Sequence, residues 1–296
     1  MIRSAAGEGR RRPCQVRRPM PLADRPPQDL SPDDSFPLLS AGDPAAFEIF
    51  NATGRAPILL ICDHASNAVP GRLRRLGLDE EQMALHVAWD IGAAEVTRRL
   101  AVLLDAQAVL AGYSRLVIDC NRSLDDPTSV AGESDGIVVP GNFGLSPAAR
   151  AARAEACFHP YHVAISGQLA GFAAAGIVPA VISIHSFTPV MRDFARPWHV
   201  GILWDKDRRL PVPLIAALAA DPALVVGDNE PYSAREPAGH SVHTHAAAAG
   251  LPHTAIELRQ DLIATPDGAG VWAAILAAAL QPILARDDLY RIEHVA

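Results

Sequence analysis

The chain has no long apolar run, no closely paired cysteines, no excess of positive charge and no internal repeat. Each absence removes a class of protein. No apolar stretch approaches the roughly 18 residues of a membrane span, so a spanning helix is not expected. The Arg-rich start leads into proline and polar residues rather than an apolar core, so a secretory signal is not expected either, and cytoplasm is the expected location. Cys14, Cys62, Cys120 and Cys157 are widely scattered and show no C-x-x-C spacing. They read as buried free thiols in a reducing compartment rather than as a disulfide framework. The formal charge of -7 argues against nucleic acid as the main partner.

What is present is ample material for a core. The 296 residues are 49% hydrophobic and 20% charged, enough for one large domain or two small ones. Residues 1–42 read as a disordered tail: Arg10, Arg11, Arg12, Arg17 and Arg18 alternate with Pro13, Pro19, Pro21, Pro26 and Pro27, and little there could pack. Such a basic tail could bind RNA or acidic lipid; the plainer reading is a leader, or an upstream start with Met20 as the true beginning. Residues 43–296 form the expected folded domain, with Phe47, Ile49 and Phe50 in the lead-in docking on its body.

Along that domain, apolar strand-like runs alternate with amphipathic helical segments. Strands are expected at 57–62, 108–111, 116–119, 181–185, 199–204, 224–226 and 254–258. Helices are expected from about Asp79, from about Asp90, from Ser146-Pro147 towards Gly176, around Leu214–Ala219 and over Pro266–Ala285. The alternation implies a single α/β/α three-layer domain with a mixed, largely parallel sheet.

Several strands end in chemistry. Pro57–Cys62 runs into Asp63-His64-Ala-Ser-Asn67, Leu116–Asp119 into Asn121-Arg122, and Val181–Ile184 into His185-Ser186-Phe187. In open α/β sheets, the carboxyl ends of strands are where ligands bind. Each residue alone has a plain structural explanation; an isolated histidine there could simply bond a neighbouring loop, and Asp90 could be a helix N-cap. Glu257 is harder to dismiss, because a carboxylate inside the apolar run Ala255–Leu258 needs a partner or a task. Two histidines and an oxygen ligand would make an open zinc site with room for water. A nearby carboxylate could take a proton from that water, and a guanidinium could grip a substrate carboxylate.

Asp63-His64-Ala-Ser-Asn-Ala-Val-Pro70, Ile118-Asp119-Cys-Asn121-Arg122, Ser183-Ile-His185-Ser186-Phe187 and Ile256-Glu257-Leu-Arg259-Gln-Asp261 appear in the order seen in the N-formylglutamate amidohydrolase family. The chain resembles that family from about residue 44 to 285. The family is related to zinc carboxypeptidases and aspartoacylase-like deacylases, so the resemblance implies a mixed eight-stranded sheet, zinc or another divalent metal as cofactor, and a small N-acyl amino acid as substrate. It implies His64 and His185 as metal ligands, Glu257 as the general acid/base, and Asn121 with Arg122 as the grip on a substrate carboxylate. Carboxypeptidases place a glutamate three residues after the first histidine, where this chain has Asn67, a poor zinc ligand; Asp90 is the expected replacement. Arg115 and Arg259 are candidates for added positive charge at the substrate, with Arg259 equally able to pair with Glu257. Ser186, Tyr232 and His240 are candidate substrate contacts. A deacylase or carboxypeptidase acting on another carboxylated substrate, and a non-catalytic carboxylate binder, are the alternatives.

Overall fold

The computed structural model describes residues 37–235 and 239–294. The expected tail lies outside these residues except for positions 37–42, where Leu38 is already buried in a cluster with Leu73, Leu76 and Tyr113.

The main sheet contains β1 (Phe47–Phe50), β2 (Ile58–Cys62), β3 (Gln107–Ala111), β6 (Ala180–Phe187), β9 (Val200–Leu203), β10 (Val226–Asp228) and β11 (His253–Arg259). Their order is β1-β3-β2-β6-β11-β9-β10. β3, β2, β6 and β11 run parallel, while β1 is antiparallel to β3 and β11 is antiparallel to β9. Two small hairpins, β4–β5 (Glu133–Ser134 with Ile137–Val138) and β7–β8 (Val190–Met191 with Phe194–Ala195), lie outside it. β2 is buried at every residue, as continuous apolar parallel strands between two helical layers must be.

The helices are α1 (Glu80–Met83), α2 (Ala93–Leu103), α3 (Pro147–Arg153), α4 (His159–Ala174), α5 (Pro211–Ala219), α6 (His240–Val242) and α7 (Pro266–Leu284). One face of the sheet, carrying Leu60, Ile182, Ile184, Ile256 and Leu258, packs on α2, α5 and α7 through residues such as Leu100, Leu214, Trp272 and Leu276. The other face, carrying Leu59, Ile61 and Val181, packs on Tyr161 and Ile165 of α4. The expected three layers are therefore present. α7 is 19 residues long and apolar enough by length and composition to cross a membrane, although no such run was expected. Its Ala269, Trp272, Ala273, Leu276 and Leu280 belong to the core of the sheet.

Ser146 caps α3 as expected, accepting from Ala149 N at 3.0 Å, and Pro147 occupies its first turn. A wider π-type turn (Ala154–Phe158) joins α3 to α4, next to Pro160, which lacks the N–H an α-helix would use.

Three expectations change. Among the described residues the sheet has seven strands, not eight. Leu116–Asp119 is not a strand: its backbone is held by turns and side chains, with Ser114 O accepting from Val117 N, Asn142 Nδ2 donating to Leu116 O and Arg153 donating to Val117 O. Apolar content there reflects packing under a buried loop, not sheet pairing. The 224–226 strand lies two residues later, at β10.

Candidate metal centre

β2 and β6 are adjacent and parallel, so their carboxyl ends deliver His64 and His185 to the same edge. The imidazole centroids lie 5.1 Å apart. Asp90 reaches them from the loop before α2. Its backbone N donates to His64 O at 3.0 Å, and the Ser186 backbone N donates to Asp90 Oδ2 at 3.2 Å. Gly92, not Asp90, is the α2 N-cap. Its φ of 83° favours glycine, and a Cβ there would meet Ile263 O at 2.2 Å, so the loop presses onto the turn that follows β11.

Asp90 Oδ2 lies 2.9 Å from His185 Nδ1 and 3.3 Å from His64 Nδ1. The far nitrogens are engaged elsewhere. His64 Nε2 faces Asp119 Oδ1 at 2.8 Å; His185 Nε2 faces Ser183 Oγ at 2.9 Å and Asp63 Oδ2 at 3.2 Å. A carboxylate only accepts, so both nitrogens of each ring face acceptors, and an ion at the two Nδ1 atoms would leave the ring proton on Nε2. This is the carboxylate–histidine pairing that orients metal-ligating imidazoles. His64, Asp90 and His185 are all buried, and their ligand atoms lie within 4.8 Å of one another.

The charges show why the cluster suits a cation. Against the opposing effect of burial, the imidazoles hold Asp90 and Asp63 well below the usual carboxylate range, and Arg115 with His64 does the same for Asp119. Burial opposes protonation of His185, but its hydrogen bonds to Asp63 and Asp90 push its pKa well up. Without a metal, positive charge must come from protons on the rings; a divalent ion could supply it directly at the two Nδ1 atoms and Asp90.

Glu257 is the register neighbour of His185 across β11 and β6. Burial, the largest influence, pushes its pKa up to about 7; His185 opposes the rise and Asp90 adds to it. Its Oε2 is buried without a hydrogen-bond partner among the described residues.

The other expected residues sit as follows. Asn67 is turned away, its Nδ2 donating to Met83 O at 2.9 Å, and it is not part of the cluster. Arg115 Nη2 donates to Asp119 Oδ2 at 2.8 Å and Nη1 lies 3.6 Å from Asp90 Oδ1, so the guanidinium is held between two site carboxylates. Asn121 Oδ1 accepts from the backbone N–H groups of His240 and Ser241 at 2.7 and 3.1 Å, tying the loop to α6. Arg122, half-buried, is on the same turn, its N donating to Asp119 O at 3.2 Å. Ser186 Oγ donates to Ile91 O at 3.0 Å, beside Asp90. Tyr232 lies against Arg196. The His240 ring packs against those of Phe158 and His162, with centroids 5.8 and 5.4 Å away. Arg259 does not pair with Glu257: its Nε donates to Asp261 Oδ1 at 2.8 Å.

Sequence reasoning assigned no role to Asp63, Asp119 or Ser183, although all three lie in the quoted motifs. Asp63 follows Leu59 and Ile61 at two-residue steps, which places it on their face of the sheet and was readable from alternation. It is also bonded by Tyr161 and Ser241 hydroxyls, at 2.9 and 2.5 Å.

The fold and the site together define a three-layer α/β protein with a buried His–Asp–His cluster able to hold a metal ion at the carboxyl edge of its sheet. Residues 56–264 match the N-formylglutamate amidohydrolase family, and the chain belongs to that hydrolase family. A solved gene product of Agrobacterium tumefaciens is 36% identical, with 84% of this chain and 98% of that one covered and a TM-score of 0.81. An N-formylglutamate amidohydrolase of Ralstonia eutropha shares the fold at 19% identity and a TM-score of 0.53, covering 81% and 97% of the two chains. No curated protein sequence matches the chain.

Proposed function

We propose that this protein is a zinc-dependent hydrolase that cleaves the amide of an N-acylated amino acid resembling N-formylglutamate. The observation carrying this reading is the pair of imidazoles, each oriented by a carboxylate at Nε2, that turn their Nδ1 atoms to Asp90 beside the unpartnered Glu257 oxygen. The His64 and His185 Nδ1 atoms and an Asp90 oxygen would hold the metal, which when bound supplies Lewis-acid polarisation of the amide carbonyl and acidifies water.

The chain's own groups supply the rest. Glu257 takes a proton from the attacking water at Oε2 and passes it to the leaving amine nitrogen; its raised pKa suits both transfers near neutral pH. Arg122, with Asn121, grips the substrate carboxylate. Arg115 balances Asp119 and Asp90, steadying the carboxylate that orients His64.

Metal analysis of the purified protein combined with hydrolysis of N-formylglutamate tests the reading. Wild type should carry the metal and turn over; His185→Ala should lose both. Glu257→Gln should keep the metal and lose about 10²–10⁴-fold in kcat. Metal-replete protein that holds no zinc, with hydrolysis indifferent to His185→Ala, would refute it. Tight substrate binding without turnover, little changed by Glu257→Gln, would instead identify a carboxylate binder.

A further inference from the structure

Arg196, which sequence reasoning passed over, is a buried cation without an anion among the described residues. It is 8% exposed. Its Nη1 donates to Thr188 O at 3.4 Å, Thr188 Oγ1 at 3.3 Å and the Tyr232 hydroxyl at 3.2 Å, three neutral acceptors at the long end of the hydrogen-bond range. Among the described residues no carboxylate lies within ion-pair distance of it. The half-buried Arg115 and Arg209 and the buried Arg153 are better served. Arg115 and Arg209 have aspartates, and Arg153 donates to three oxygens at 2.7–3.0 Å. A buried charge is expensive unless it is paired.

Its place in the fold shows where the missing anion belongs. The guanidinium lies 5.7 Å from the Phe187 ring centroid and 5.0 Å from that of Tyr232. Phe187 is two residues beyond His185 on β6 and therefore shares its face. Tyr232 follows Glu230, whose carbonyl rests on Gly201; a Cβ on that glycine would come within 1.9 Å of it. Gly201 is the register neighbour of Glu257. Burial and then the Glu257 charge raise the Tyr232 phenol pKa, as proximity requires. Arg196 can only donate, so the Tyr232 oxygen accepts and its own O–H remains available to a ligand.

We infer that Arg196 and Tyr232 are specificity-determining residues beside Glu257, forming the recognition point for the side-chain carboxylate of the N-formylglutamate-like substrate proposed above. The inference rests on the hydrolase reading for the reaction, but the recognition itself can be measured without turnover. Phe187, Thr188 and Tyr232 hold the planar guanidinium in place, so the selectivity is for a planar, two-oxygen anion.

Calorimetric binding of glutarate and of its monoamide, glutaramate, to metal-loaded wild type and Arg196→Met tests it. Arg196→Met should weaken glutarate by about 10- to 150-fold, the range for a hydrogen-bonded charge. Glutaramate affinity and metal content should stay unchanged. In steady state, the variant should raise KM for N-formylglutamate more than it lowers kcat, and should erase the preference over N-formylglutamine. Tyr232→Phe should show the same selectivity change at smaller size. Equal glutarate binding by variant and wild type, or equal loss of both ligands, overturns the inference. If Arg196→Met does not fold, Arg196→Lys decides: it keeps charge but loses the two-point grip, and wild-type discrimination in it would be equally fatal. Arg196-dependent glutarate binding without any hydrolysis would remove the hydrolase reading and leave this one standing.

Discussion

Asp119 and Asp63 would act on a bound metal without touching it. Each faces one imidazole at its Nε2, which with an ion at Nδ1 would set both the tautomer and the aim of the ligand atom. Asp119→Asn should therefore lower metal affinity by about 10- to 100-fold while the three ligands remain in place; competition with a chromogenic chelator measures it. Gly92→Ala attacks the third ligand from behind. The left-handed backbone and the 2.2 Å approach to Ile263 O leave no room for a methyl group, so the Asp90 loop must shift, with losses in both metal content and thermal midpoint. Legibility at this scale followed chain position. His64, Asp90, His185 and Glu257 stand at strand ends or a helix entrance, where a short local pattern flags them. Arg196 lies in the irregular segment after β8, where no periodicity marks it and only folding brings it to Phe187 and Tyr232.

The loop carrying Arg115, Asp119 and Arg122 shows how an element can be misread and still do its work. Its apolar Leu116, Val117 and Ile118 suggested a strand, because a short buried run has the same composition whether it pairs or merely packs. The long helix after Ser146, by contrast, was readable from its cap and proline, and β2, β6 and β11 from sustained apolar runs. What stabilises the loop instead is a side-chain brace. Arg153 donates to Val117 O, Gly141 O and Asn142 Oδ1, while Asn142 Nδ2 donates to Leu116 O and Ala131 O. Burial pulls the Arg153 pKa down to about 10, which leaves it charged at neutral pH. Arg153→Met would strand these buried acceptors and should destabilise the fold by about 3 kcal/mol or more in urea titration.

For the molecule as a whole, the clearest pH signature comes from α4 rather than from the metal centre. Burial depresses the His162 pKa to about 4, and its ring bonds His245 at 2.8 Å and Cys120 O at 3.0 Å. The unfolded chain takes a proton on this histidine near its ordinary value of about 6.5, before the folded protein does. The unfolded state thus binds more protons between those values, and stability attributable to His162 falls as pH drops from about 6.5 to 4 and is constant above and below. The stability difference between wild type and His162→Gln, followed by denaturant titration across that interval, should shrink towards acid; a pH-independent difference would disprove the assignment. The three-layer architecture itself was legible from the alternation of elements. The sheet order was not, since it depends on pairings between residues far apart in the chain.

The braced loop has a further consequence for exchange with solvent. Its amides and carbonyls are satisfied by side chains and neighbouring turns, not by a sheet ladder, so it can open without unravelling β2 or β6. Opening would release Asp119 from His64 and leave that ligand free to rotate. Residence time of the bound ion would then be set by a local fluctuation rather than by global unfolding. The rate of metal loss to excess chelator should match hydrogen exchange at the 114–122 amides, and Arg153→Met should accelerate both together.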